Sequence, residues 1–214
     1  MAGGVKRDRP TDGGPGQART RLARRAVVAA ARTLFLERGY ATTTVEAISN
    51  LADVPQATVY RLFASKLGIL KALLDASIAG DDQPVAVQER GDVASLFAEA
   101  DPVKLLHGFA GVTTAINERT NDLYRVLVSA ADLDPSAAEL LAEVDQQRGR
   151  GQREIARALD RQRSLRTGLH QRDAVDVIHA VMSPDVYRLL VVDRGWPAEK
   201  YRQWLAATLV QQLT

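Results

Sequence analysis

Residues 44–66 read TVEAISNLADVPQATVYRLFASK, and this stretch decides the fold. A short helix capped by Thr43 or Thr44 is followed by a second one, which starts near Pro55 and runs through Phe63. Asp53 lies at the turn between them, and Asp tolerates left-handed backbone geometry better than most residues do. Two short helices joined by a tight turn form a helix-turn-helix, whose second helix fits a major groove about 12 Å wide. The pattern predicts a DNA-binding unit.

A longer helix is predicted before this unit and another after it. The first ends at Gly39, and the later one is capped by Ser65 and runs from Lys66 to about Ile78. Residues 19–66 are thus predicted to form a three-helix DNA-binding domain. The apolar face of the first helix consists of Val27, Ala30, Ala31, Leu34 and Phe35.

Over residues 21–70 the sequence resembles the TetR/AcrR family of bacterial transcriptional regulators. A weaker similarity to the C-terminal end of many actinobacterial members lies between residues 183 and 205. The N-terminal residues that carry the resemblance are Val27, Ala30, Ala31, Leu34, Phe35, Gly39, Tyr40, Thr43, Thr44, Ile48, Val54, Thr58, Tyr60, Phe63, Ser65 and Lys66.

The resemblance implies that Thr44, Thr58, Tyr60 and Lys66 contact DNA phosphates. Hydroxyl groups and an ammonium group near a helix start are ordinary phosphate donors. Other interpretations stay open: Thr44 as a plain N-cap, Tyr60 as a core aromatic and Lys66 as a solvated charge.

Three further residues of the second short helix are candidates for contacts with base edges. Gln56 can pair with adenine, Arg61 with guanine, and Ala57 can touch a thymine methyl group. Arg61 is equally suited to bind a phosphate. The arginines at 21, 24 and 25 add positive charge near the start of the first helix.

Charge is distributed unevenly along the chain of 214 residues. Residues 1–70 contain 11 Lys and Arg against 5 Asp and Glu, whereas residues 71–214 contain 17 against 21. A basic front and an acidic back indicate that only the front meets a polyanion.

Several function classes lack their sequence signals. The chain contains no cysteine, so disulfides, cysteine zinc sites and a cysteine nucleophile are excluded. Its three histidines have no metal-binding spacing, and the glycines at 13–16 do not follow a strand as in a phosphate loop. We therefore expect no enzyme activity, no metal and no cofactor. No apolar run of about 18 residues occurs, so we expect a cytoplasmic protein without a membrane partner.

The remaining sequence predicts helices and no sheet. Residues 1–18 are expected to form a disordered basic tail, 81–92 a loop, and 67–214 a larger ligand-binding and dimerisation domain. The fold class is therefore all-α with about nine helices, of which five lie in the region after residue 92. The first of these five begins at Asp101-Pro102, the second covers 121–131 and the third begins at Asp134-Pro135. The fourth covers 172–192 with a break at Ser183-Pro184, and the fifth covers 198–213.

The larger domain is predicted to enclose an apolar pocket for a lipophilic, weakly polar effector. Dimer contacts are expected on its last two helices, at Val177, Val181, Leu205 and Leu209, with an intrachain core as the alternative. The candidate pocket residues, each with plain core packing as its alternative, are His107, Phe109, Thr113, Tyr124, Leu127, Met182 and Tyr187.

Together these features predict a homodimeric repressor that binds a palindromic operator and is released by a small lipophilic effector. Its expected partners are double-stranded DNA, the effector and a second copy of the chain. Two alternatives remain open at this point: a helical ligand-binding protein or enzyme without sequence-specific DNA binding, and an activator of the same fold.

Overall fold

The computed structural model describes residues 15–80 and 91–214, which form helices joined by short turns. No strand occurs within these two ranges, which confirms the all-α class. The helices are α1 Pro15–Thr42, α2 Val45–Ala52, α3 Gln56–Phe63, α4 Lys66–Ala79, α5 Gly91–Phe97, α6 Pro102–Ala131, α7 Pro135–Arg161, α8 Gln171–Val181, α9 Pro184–Tyr187 with a π-helical continuation Arg188–Val192, and α10 Ala198–Leu213.

Local capping chemistry sets the boundaries of the short N-terminal helices. Thr44 Oγ1 accepts a hydrogen bond from the Ala47 N–H at 3.0 Å and so caps α2. Ser65 Oγ accepts from the Gly68 N–H at 3.0 Å and caps α4. Asp53 ends α2 in the left-handed conformation, with φ 51° and ψ 43°. The predicted turn is therefore the observed one.

The left-handed conformation of Asp53 yields a stability prediction. A β-branched residue is strained in this region, so we expect Asp53→Val to lower the free energy of unfolding by about 1–2 kcal/mol. Urea unfolding followed by circular dichroism measures the difference. Asn50→Val on the exposed side of α2 is the matched control and should change the value by less than about 0.5 kcal/mol. Equal effects of both variants would contradict the prediction.

The buried side chains form two apolar clusters. The N-terminal cluster is built from α1, α2, α3 and α4, but it also contains Leu123 and Leu127 of α6 and Leu140 of α7. The C-terminal cluster joins α5, the first half of α6 and the second half of α7 to α8, α9 and α10. Both clusters share α6 and α7, and these two long helices therefore connect the helix-turn-helix end of the molecule to the rest.

Three elements differ from the sequence prediction, whereas Gly39, the predicted end of the first helix, does interrupt α1 with a non-helical φ of 76° and ψ of 172°. Helix α1 begins at Pro15, so residues 15–18 are helical instead of part of the tail, and α5 was missed altogether. The two helices expected near 102–116 and 121–131 are one helix, α6. Its polar middle is buried against other elements: Thr120 and Asn121 are 6% and 4% exposed, and the Asn121 Nδ2 donates to the Pro184 carbonyl at 3.1 Å. The expected tail over 1–14 and loop over 81–90 lie outside the described residues.

Within the described ranges, no helix is both long enough and apolar enough to cross a membrane.

Candidate DNA interface and ligand cavity

One face of α3 is exposed and carries the predicted base-reading residues. Gln56, Ala57 and Arg61 are exposed on this face, while Val59 and Phe63 are buried in the N-terminal cluster. Because these buried side chains anchor α3 to α1 and α4, the exposed face has a fixed orientation. The arrangement offers an amide, a methyl group and a guanidinium to a groove of DNA.

The residues predicted to contact phosphates differ in how far their side chains are exposed. The Tyr60 side chain is 51% exposed, which excludes the core alternative for this residue. Thr44 is exposed while its hydroxyl oxygen caps α2, so both of its expected roles are compatible. Thr58 is half-buried.

Lys66 is held by the end of α1. Its Nζ donates to the Tyr40 carbonyl at 2.8 Å and lies 4.2 Å from the centroid of the Tyr40 ring. Burial lowers the pKa of the Lys66 ammonium, with the Asp134 carboxylate acting in the opposite direction. The ammonium therefore fixes the start of α4 against α1, a role that the sequence did not indicate. Phosphate contact by this residue stays a prediction.

An arginine of α1 packs against the end of α3. The Arg24 guanidinium lies 4.8 Å from the centroid of the Phe63 ring, and its Nη1 donates to the Leu62 carbonyl at 3.5 Å. A cation near a helix C-terminus is stabilising there, because the last carbonyl groups lack helical partners.

A cavity of about 170 Å³ lies between α4, α5, α6, α7 and the segment that joins α8 to α9. Its wall is mostly apolar, as expected for a small-molecule site between helices. An apolar cavity of about 150 Å³ is already large enough for benzene. Four of the predicted pocket residues line it: Phe109, Thr113, Tyr124 and Met182.

Three predicted pocket residues lie elsewhere. His107 is exposed on α6, which excludes its core alternative, and it does not line this cavity. Leu127 is buried in the N-terminal cluster. Tyr187 packs edge-on against Tyr201, with ring centroids 5.0 Å apart, in the C-terminal cluster. Helical periodicity marks a buried face but not which of two buried surfaces that face meets, and this explains why Leu127 and Tyr187 lie outside this cavity.

The polar wall of the cavity was not predicted from the sequence. Asn117 of α6 and two residues of α7, Arg148 and Gln152, line it. Their signal was present, because Arg148 falls on the same seam of α7 as Val144 and Ile155, and Gln152 follows Arg148 by one helical turn. A charged residue on an otherwise apolar seam indicates a special environment.

Helix α4 links the candidate interface to the cavity. It begins at Lys66 next to α3, and near its other end Leu74 and Ile78 line the cavity. Arg119 of α6 fixes that end, since its Nε donates to the Ser77 carbonyl at 3.0 Å and its Nη2 to the Ile78 carbonyl at 3.2 Å. Helix α4 therefore spans the distance between the base of α3 and the cavity wall.

The expected dimer contacts need correction. Leu205 and Leu209 are fully buried within the chain, so the intrachain alternative holds for both. Val177 and Val181 are partly buried against the C-terminal cluster. Large apolar side chains that do reach the surface near this end are Leu189 and Val192, which are 49% and 51% exposed.

Comparison with known proteins agrees with this geometry. Residues 27–73 match the profile of the bacterial regulatory proteins of the tetR family. No curated protein matches the sequence.

Solved structures share the fold along most of the chain. NalD of Pseudomonas aeruginosa, the secondary repressor of the MexAB-OprM multidrug efflux pump, is 19% identical, with 91% of this chain and 98% of NalD covered at a TM-score of 0.70. SmeT in its complex with triclosan is 16% identical, and the match covers 90% of this chain and 91% of SmeT at a TM-score of 0.67. A transcriptional regulator from Aquifex aeolicus VF5 is 16% identical, and the match covers 87% of this chain and 97% of the regulator at a TM-score of 0.61.

The fold and the exposed face of α3 define the class, a helix-turn-helix DNA-binding protein with a second helical domain. Residues 27–73 match the model of the tetR family of bacterial regulatory proteins, which confirms the resemblance noted in the sequence.

Proposed function

We propose that the protein is a homodimeric transcriptional repressor that binds a palindromic operator and releases it when a small effector enters the cavity. The observation that carries this proposal is the position of α4, which has Lys66 beside the DNA-binding helices at one end and Leu74 and Ile78 in the cavity wall at the other. The proposal includes a cytoplasmic location and no catalytic activity. NalD is a repressor and SmeT binds triclosan, which supports the proposal by analogy alone.

The mechanism requires an effector that prefers the conformation unable to bind DNA. Shifting the population from 99:1 to 1:99 requires roughly a 10⁴-fold preference. By linkage, operator DNA must weaken effector binding by the same factor as the effector weakens operator binding. Equal effector affinity with and without the operator would contradict this mechanism.

Binding of purified protein to DNA tests the central claim. Fluorescence anisotropy with DNA flanking the gene, at several salt concentrations and with random DNA as the control, measures specific binding. We expect a preference of at least about 10³-fold over random DNA and a steep decrease of affinity with salt. Weak binding that is equal on both DNAs would contradict the proposal and favour a helical ligand-binding protein.

Gln56 is proposed to read a base edge. We expect Gln56→Ala to weaken binding to the selected operator by about 1–3 kcal/mol per half-site while binding to random DNA hardly changes. Fluorescence anisotropy on both DNAs measures the two affinities. The same loss on both would contradict the base contact and indicate a phosphate contact.

A palindromic operator requires two recognition helices about 34–36 Å apart, so the protein is proposed to form a dimer. The proposed interface is the exposed apolar surface of Leu189 and Val192. Sedimentation should give twice the mass of one chain, which is 23.3 kDa.

Truncation of one interface side chain tests the position of the dimer contact. We expect Leu189→Ala to raise the dimer dissociation constant about tenfold, because each chain loses apolar contact area. Analytical ultracentrifugation over a concentration series measures this. Leu133→Ala, at a side chain that is 77% exposed between α6 and α7, is the control and should have no effect. If the wild type is a dimer and Leu189→Ala and Leu133→Ala change its dissociation constant equally, or not at all, the interface lies elsewhere.

A further inference from the structure

The polar wall of the cavity presents only hydrogen-bond donors that lack an acceptor. Asn117 is 4% exposed and Gln152 is 3% exposed. The Nε2 of Gln152 has no partner, and the Nδ2 of Asn117 makes no hydrogen bond of normal geometry, although the pKa of the neighbouring Tyr201 hydroxyl, which burial raises, is lowered by the Asn117 amide. The Nε and Nη1 of Arg148 are also buried without a partner. All three residues line the cavity, and none of its lining side chains has a buried acceptor left unpaired in the described ranges. The unpaired groups of the wall therefore need hydrogen-bond acceptors from a ligand, and none of them needs a donor.

A hydrogen-bond chain fixes the orientation of the Gln152 amide. Arg148 Nη2 can only donate, and it lies 3.0 Å from His179 Nε2, which must accept. In the neutral ring the proton is then on Nδ1, which donates to Gln152 Oε1 at 2.9 Å. Burial and the Arg148 guanidinium both lower the pKa of His179, while Asp145 and Asp176 act in the opposite direction. The Gln152 Oε1 is therefore occupied by His179, and the Gln152 NH₂ group remains an unpaired hydrogen-bond donor.

The charge of Arg148 is only partly neutralised by protein groups. Its nearest carboxylate is Asp145, which contacts Nη2 at 3.4 Å and is 40% exposed. Nε and Nη1 are left for another acceptor. A buried donor without an acceptor is costly, and a charged donor more so, which makes an acceptor from a ligand favourable at this position.

We infer that the cavity takes an organic monocarboxylate with an apolar body, whose carboxylate accepts from Arg148, Asn117 and Gln152. A carboxylate has only acceptor sites and its two oxygens serve several donors, and its charge complements the guanidinium. The apolar body fits the rest of the wall, which includes Phe97 and Phe109. The inference rests on the proposed function in that the cavity is the effector site, and it replaces the weakly polar effector that the sequence suggested.

Three probes with one body and different head groups test the inference. We choose 4-butylbenzoate, 4-butylbenzyl alcohol and 4-butylbenzylamine, and isothermal titration calorimetry on the full chain without DNA measures their affinities. The carboxylate should bind at least about tenfold more tightly than the alcohol, and the amine should not bind. Equal binding of carboxylate and alcohol, tighter binding of the amine, or no binding of any probe would overturn the inference.

Variants locate the carboxylate. Arg148→Met keeps the length of the side chain without its donors and should abolish the preference for the carboxylate over the alcohol. Arg150→Met, at an exposed position on α7, is the matched control and should leave the preference unchanged. Circular dichroism verifies folding, and Asn117→Leu serves as a second variant with a smaller loss if Arg148→Met does not fold. A preference that survives in both cavity variants would overturn the inference.

A second measurement separates this inference from the proposed function. The three probes are added to the complex of the protein with its selected operator, and anisotropy reports DNA release. Binding of 4-butylbenzoate without DNA release would support the carboxylate site and contradict the effector mechanism. Release by the alcohol and not by the carboxylate would leave the repressor function intact and overturn the carboxylate class.

Discussion

Replacing Arg61 by alanine is expected to reduce operator affinity by roughly 30-fold to 2 × 10⁴-fold. Arg61 is exposed on the same face of α3 as Gln56 and Ala57. A good contact between arginine and a base edge is worth about 1–3 kcal/mol, and the proposed dimer contains two copies, so the loss is about 2–6 kcal/mol per complex. Fluorescence anisotropy at constant salt measures the two dissociation constants.

The salt dependence of this variant identifies the group that Arg61 contacts. If the guanidinium reads a base, the affinity for random DNA should change little. If it binds a phosphate, both DNAs should lose affinity alike and the slope of log K against log salt should become shallower. Arg172→Ala, which removes an exposed charge from α8, is the control and should keep wild-type affinity. An unchanged operator affinity in Arg61→Ala would exclude α3 as the reading helix in the proposed orientation.

Replacing Phe35 by alanine is expected to lower the free energy of unfolding by about 3–5 kcal/mol. The Phe35 side chain is fully buried in the N-terminal cluster, and its ring centroid lies 5.7 Å from that of Tyr40. Loss of the ring removes apolar burial and leaves a cavity that the surrounding helices only partly fill. Urea unfolding followed by circular dichroism measures the change.

The neighbouring residue supplies the control for Phe35. Leu36 is 41% exposed, so Leu36→Ala should cost less than about 1 kcal/mol. Operator binding by Phe35→Ala should fail at a lower temperature than binding by the wild type, because α3 depends on this cluster for its orientation. A loss below about 1 kcal/mol in Phe35→Ala would contradict the packing described for α1.

The N-terminal half of the fold was predictable because its signals are local. Asp53, Thr44 and Ser65 act within a few residues of their own positions, and the apolar face of α1 repeats regularly from Val27 to Phe35. Caps and turns depend on neighbouring backbone groups, so their chemistry can be recognised without the tertiary structure.

The cavity was less predictable because it depends on which faces meet. The sequence indicated that α6 and α7 have apolar faces, but not that Leu127 points to one cluster while Phe109 points to the cavity. The polar wall depends on contacts between α7 and α8, such as the one between Arg148 and His179 at 3.0 Å, which are distant in sequence. Tertiary packing also overrode local polarity in the middle of α6, where Asn121 Nδ2 donates to the Pro184 carbonyl at 3.1 Å and two predicted helices are one.

The length of α6 limits how such proteins can be recombined. With 30 residues it extends for about 45 Å, and it supplies buried side chains to both apolar clusters, Leu105 and Leu106 to one and Leu123 and Leu127 to the other. A chimaera that joins residues 1–66 of this chain to the sensing half of a distant relative would place foreign side chains against the helix-turn-helix. Exchange of the DNA-reading module will therefore succeed only if the surface formed by Leu123, Leu127 and Leu140 is transferred with it.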